Sequence, residues 1–214
     1  MKRTALALLT ALTGILLAGA VTPAAAAQTS RLRYLGSSNI TLPTAYFTRM
    51  TTYTSDDGHN MIMYAQPFGK FLELSGVRHM NDAESGKTVL NFKMTVLEED
   101  KLFPNIVWGV GDAGMTLGSR VFYFAGSKTF ESFAASIHGG IIKDPVTTEK
   151  KSFIGAEKTI LPLVILAAER CDGLTSYGLK MRPYPGVSLE YARRDDGNGG
   201  NDTAIYQIQY IKSF

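Results

Sequence analysis

Apolar and polar side chains alternate along most of this chain with a period of two. In "TVLNFKMTV" (88–96) Leu90, Phe92, Met94 and Val96 fall on one face, and Asn91, Lys93 and Thr95 on the other. In "MIMYAQ" (61–66) Met61, Met63 and Ala65 oppose Ile62, Tyr64 and Gln66, and "GVSLEYAR" (186–193) sets Val187, Leu189 and Tyr191 against Ser188, Glu190 and Ala192. Successive side chains of a strand point to opposite faces, so this pattern predicts strands. No segment after residue 27 has the 3.6-residue apolar period of an amphipathic helix. Clusters of turn-forming residues separate the alternating stretches: "SDDGHN", "NDAESGK", "CDGLTS", "RPYPG" and "RDDGNGGND". The chain reads as all-β.

The pattern predicts about twelve strands, at 44–54, 58–66, 70–79, 87–97, 103–112, 118–128, 131–139, 151–159, 162–171, 174–183, 186–194 and 202–213. The count is even, and most of the lengths approach the nine to eleven residues that cross a bilayer when tilted. Short connections ("QPFGK", the "KTFE" corner, the "ILP" junction, "RPYPG") largely alternate with longer polar ones ("NDAESGK", 139–151, "DDGNGGND"). An even barrel with both termini on one side gathers its short turns on that side, as outer-membrane barrels do. The expected fold is an antiparallel up-and-down transmembrane β-barrel.

The last strand keeps its alternation to its end. Tyr206, Ile208, Tyr210 and Phe214 would form a lipid-facing row, with Gln207 and Gln209 turned to the lumen beside Asn91, Lys93 and Thr95. Unpaired backbone groups in hydrocarbon cost several kcal/mol each, so a barrel has to pair its last strand with its first. A terminal aromatic on a closing strand resembles the signal read by barrel-assembly machinery, which makes that machinery and outer-membrane lipid the expected partners. Lys212 interrupts the apolar row, near an interface where a lysine can snorkel to water.

At the other end Lys2 and Arg3 precede an apolar run from Leu6 to Val21 and a small-residue stretch to Ala27. This is the order of a secretory signal peptide, with cleavage expected after Ala26 or Ala27. Ala20 stands where a lipidated cysteine would have to be, so no lipid anchor is expected. The domain reading is a signal peptide at 1–27, an N-terminal segment at 28–43 able to plug the lumen, and a barrel at 44–214. Without Lys2 and Arg3 the chain has 20 basic and 19 acidic residues. That near-neutrality lacks the basic footprint of a nucleic-acid binder. Cys171 is the single cysteine, so no internal disulfide supports the chain. After residue 27 no apolar run approaches the length of a membrane-spanning helix.

Four stretches follow one another in an order similar to a known family: "LPTAYF", "YAQPFGKFLELSGVRH", "LEEDKLFPNIVWGVGDAG" and "FYFAGSK". The matching residues are Pro43–Ala45, Gln66–Phe68 with Leu72 and Glu73, Pro104–Asp112 with Gly114, and Ser127–Lys128. They resemble the YjbH family of outer-membrane β-barrel proteins, over about Leu42 to Lys128. Beyond that point only a general pattern continues, and "TLGSR" departs from the family's usual sequence. The resemblance implies a role in exopolysaccharide production, beside polysaccharide-export proteins.

No constellation of catalytic residues stands out, and no cofactor or metal is expected. Ser136 and His138 share one face of a strand, but a nucleophile and its base need mutual hydrogen-bond geometry. "DDGNGGND" is acidic without the spaced ligands of a calcium loop. Phe47, Phe68, Phe103, Phe130, Tyr184 and Phe214 fall near strand ends, as an interfacial aromatic girdle would. The expected function is a non-catalytic outer-membrane barrel serving exopolysaccharide export or cell-envelope organisation. The alternative is a secreted soluble β-barrel with a small apolar ligand inside. The two differ in which face of each strand is apolar.

Overall fold

The computed structural model describes residues 33–81, 84–143, 149–195 and 202–212. The expected signal peptide, most of the "DDGNGGND" loop and Phe214 lie outside the described residues. Twelve antiparallel strands run in chain order around a closed barrel. They are β1 (Met50–Asp56), β2 (His59–Phe68), β3 (Leu72–His79), β4 (Thr88–Leu97), β5 (Asn105–Gly111), β6 (Val121–Phe130), β7 (Ala135–Lys143), β8 (Lys150–Leu161), β9 (Val164–Cys171), β10 (Leu174–Tyr184), β11 (Val187–Asp195) and β12 (Thr203–Ile211). β1 and β12 close the ring in register, from Met50 opposite Ile211 to Asp56 opposite Ile205. Every strand thus has two neighbours, and no sheet edge is left open.

The first strand begins later than the sequence pattern predicts. Residues 44–48 do not join the ladder; Thr44 and Ala45 are buried inside the barrel, whose first strand starts at Met50 rather than at residue 44. β7 is displaced by about one turn, because Glu131–Phe133 form a single 3-10 turn and Ala134 takes a left-handed conformation before the strand starts.

The two rims differ. One, the turn rim, carries the start of β1, the end of β12 and the connections 69–71, 98–104, 131–134, 162–163 and 185–186. The other, the loop rim, carries 112–120, the ends of β3, β7 and β11 and the starts of β4, β8 and β12, together with two tight hairpins. Those hairpins depart from the expected gathering of short turns on one side. Asp57 and Gly58, and Asp172 and Gly173, all have positive φ. That is the type I′ turn, whose twist matches the flanking strands and whose preferred residues are Asp and Gly.

The two faces of the wall are chemically inverted relative to a soluble protein. Ile62, Leu90, Met94, Phe124, Leu166 and Ile208 are exposed on the outside. Glu73, Lys93, Glu169, Lys180, Glu190 and Gln207 are buried inside. Trp108 packs edge-on to Phe92 and stacks on Phe122, forming an aromatic strip on the outer wall across β4 to β6. Phe68, Phe103, Phe130 and Tyr184 are exposed near the turn rim. Phe47 does not join them: it lies inside, with its ring 5.3 Å from the Lys93 ammonium.

Candidate functional site in the barrel lumen

The lumen is occupied by the chain's own residues 33–48, "RYLGSSNITLPTAYFT". The segment turns on itself through a bridge between Ser38 and Pro43. Tyr34 N donates to Thr41 O at 2.9 Å, and Thr44 N to Ser37 O at 3.0 Å. Such a short bend satisfies few of its own backbone groups. The remainder find partners on the wall, as buried polar groups must.

Glu73 of β3 and Lys93 of β4 face each other in register, 3.2 Å apart. The Glu73 carboxylate accepts from Ser37 N at 2.9 Å, from Thr48 N at 3.1 Å and from the Ser37 hydroxyl. The Lys93 ammonium donates to the carbonyls of Ser37, Thr44 and Tyr46, at 3.3, 3.1 and 2.7 Å. A carboxylate thus takes backbone donors while the ammonium beside it takes backbone acceptors. Each charge satisfies part of the segment, and together they offset their desolvation.

Glu169 of β9 makes a second anchor. Its carboxylate accepts from the consecutive amides of Ile40, Thr41 and Leu42 at 3.1, 3.0 and 3.2 Å, and from the Thr41 hydroxyl at 2.5 Å. Gln207 Nε2 donates to Ile40 O at 2.8 Å, and Lys180 Nζ to Asn39 O at 2.8 Å. Beneath these bonds Ile40 packs with Ala167, Ala192 and Ile205. This contact explains why the stretch 163–168 is apolar on both faces: one face is outer wall, and the other receives the segment.

The third anchor is at the loop rim. Arg194 grips Asp56 through two bonds, at 2.6 and 3.0 Å, the two-pronged pairing that guanidinium favours. Arg33 reaches the same carboxylate at 3.2 Å, and the Tyr34 hydroxyl donates to it at 2.9 Å. At the turn rim the Tyr46 hydroxyl donates to Glu99 at 2.8 Å, and burial raises its pKa to about 12, so it stays a neutral donor. The segment therefore crosses the lumen from one rim to the other. A pocket of about 20 Å³ remains between Arg33, Thr41, Glu169 and Arg194, room for roughly one water.

Of the residues singled out in the sequence, Asn91, Lys93, Gln207 and Gln209 are buried on the inner face. Asn91 Nδ2 donates to Tyr34 O at 3.3 Å, and Gln209 Nε2 to Gln207 Oε1 at 2.9 Å. Thr95 is half-buried near the turn rim, where its hydroxyl donates to Lys70 O. Tyr206, Ile208 and Tyr210 are exposed on the outer wall. Asp56, Glu73, Glu169 and Arg194, the ends of the anchors, were not singled out as lumen residues. The clue was present, since Glu73 stands between Leu72 and Leu74, and Glu190 between Leu189 and Tyr191. A charge flanked by two outward apolar residues points inward.

His138 is buried, and its Nε2 has no hydrogen-bond partner. Among the described residues no group of His, Cys, Asp and Glu could hold a metal ion. Cys171 is a buried free thiol.

A closed antiparallel barrel with an apolar exterior and a polar interior is the architecture of membrane-spanning β-barrels. No family model matches the sequence, nor does any curated protein. Two solved structures of this architecture are similar to the chain. The KdgM porin in complex with disordered oligogalacturonate has a TM-score of 0.56 at 11% identity, over 77% of this chain and 98% of that one. The KdgM porin alone gives 0.55 at 11% identity over the same shares. At such identities the likeness is one of fold.

Proposed function

We propose that the protein is an integral barrel of a bacterial outer membrane whose lumen is closed by its own N-terminal segment. The observation that carries this reading is the inversion of the wall. Apolar side chains exposed on strand after strand would be a large unfavourable surface in water, whereas charged residues buried inside are satisfied by the segment. A soluble barrel holding an apolar ligand requires the opposite arrangement. The turn rim faces the periplasm and the loop rim faces outward, following the usual disposition of short and long connections. Phe214 belongs to the ending that barrel-assembly machinery would read.

The role is non-catalytic, in exopolysaccharide export or the organisation of the cell envelope. Two things support the sugar part: the resemblance of Leu42 to Lys128 to the YjbH family, and a solved barrel of this fold carrying an oligogalacturonate. A lumen filled from rim to rim suits an accessory protein beside polysaccharide-export proteins better than an open polymer pore. The membrane reading is tested by fractionation and by comparing unheated with boiled samples on a gel. Recovery with the outer membrane and a heat-dependent shift are expected; a soluble periplasmic monomer would contradict it. The sugar reading is tested by deleting the gene and measuring surface polysaccharide, where unchanged amount and composition would refute it.

A further inference from the structure

At the loop rim, β6, β7 and β8 present cations to the outside. Lys143 and Lys150 are directly opposite each other in the β7–β8 register, and both are exposed. Their outward direction follows from the alternation. Ile141 and Ile154, farther down the same strands, are exposed on the outer wall, while Ile142 and Lys151 are buried inside. Phe122 of β6 is opposite Lys143, and Arg120 precedes β6 at the rim. The Arg120 Nε donates to Ala113 O at 2.9 Å, and among the described residues Arg120 has no acidic partner.

Like charges directly opposite on paired strands destabilise the pair, with Cβ atoms only ~5 Å apart. Among the described residues neither lysine has an acidic partner; the nearby Glu149 pairs instead with the inward Lys151, at 3.8 Å. Three other exposed cations of the barrel do have acidic partners. Lys70 pairs with Glu98 at 3.5 Å, Lys128 with Glu99 at 3.4 Å and Arg193 with Asp202 at 3.2 Å. What sets this sector apart is the pair of cations opposed in register, directly above the apolar surface of Phe122, Ile141 and Ile154.

We infer that this sector docks a phosphorylated glycolipid of the outer leaflet. Its phosphate would sit between Lys143 and Lys150 with Arg120 beside it, and its acyl chains would lie on Phe122, Ile141 and Ile154. The phosphate offsets the opposed ammonium groups, and the lysine stems extend from apolar wall to headgroup level. The inference rests on the outer-membrane reading and its orientation.

The test uses the full chain purified in a nonionic detergent. It is titrated with diphosphorylated lipid A and, in parallel, with the dephosphorylated lipid, and bound lipid is counted by native mass spectrometry. Selective retention of the phosphorylated form is expected. The K143S/K150S variant should bind it roughly 10- to 30-fold more weakly, since each cation near a charged lipid surface contributes about 1 kcal/mol. K143R/K150R should bind like the parent, and K70S at the opposite rim should change nothing. Without lipid, K143S/K150S should be at least as heat-stable as the parent, because it removes a like-charge pair. Equal retention of both lipids by the parent, or unchanged retention by K143S/K150S, would overturn the inference. A heat-shifting outer-membrane barrel without phosphate selectivity would sink this proposal alone; failure to fractionate with the membrane would sink the reading beneath it.

Discussion

The Lys93 ammonium is buried with three backbone carbonyls and one carboxylate around it. It holds Glu73 and the segment at once, so removing it is not a neutral change. Lys93→Met leaves the Glu73 carboxylate buried without its counter-ion, which costs about 3–5 kcal/mol. Replacing both, as Glu73→Gln with Lys93→Met, is expected to cost less than Lys93→Met alone. Urea unfolding in detergent, followed by tryptophan fluorescence from Trp108, measures the difference. A double variant less stable than Lys93→Met would contradict the pairing. Gly109 is a second sensitive position. A Cβ there would collide with the ring of Tyr123, whose hydroxyl donates to Leu35 O at 3.0 Å. Gly109→Ala should displace Tyr123 and lower the unfolding midpoint, and Tyr123→Phe in the same assay isolates the share of the lost hydrogen bond. No change in Gly109→Ala would mean that the ring does not rest on this glycine.

Among elements, the strands were the most legible in the sequence, because period two is a local property that a few residues reveal. Both faces of β4 and β12 follow directly from it. The start of β1 was not legible. "TAYFTR" alternates well enough to read as strand, yet these residues bond to Ser127, Asn105 and Glu99 across the lumen. Local pattern cannot tell an extended segment that pairs with the sheet from one that lies inside it. The anchors were hidden for a related reason: Glu169 meets residues 40–42 across some 127 positions of chain, a separation that periodicity does not encode. Glu169 is also the anchor most confined to the segment. In a Cys171→Ala background, a cysteine at Leu42 should react slowly with a maleimide and much faster once Glu169→Ala is added. Equal rates would show that Glu169 does not hold the segment. At the closing strand, deleting Phe214 should impair membrane assembly more than Lys212→Ile does, as judged by the fraction of heat-shifting protein. Equal assembly would leave the terminal aromatic without a role.

At the scale of the whole molecule, twelve strands form a continuous wall, and one short segment joins its rims from within. Wall and filling depend on each other. Without residues 33–48 Glu169 would lose its three amide donors and Lys93 its three carbonyl acceptors, and the segment's amides and carbonyls would lack those partners without the wall. The account therefore makes a direct claim about permeability. Planar-bilayer recording of the full chain, beside a variant lacking residues 34–45 and confirmed as a heat-shifting barrel, tests it. The full chain is predicted to be closed or to open only in brief events, and the deletion variant to hold a steady ohmic conductance. A full chain conducting as steadily as the deletion variant would contradict a lumen filled by its own N-terminal segment.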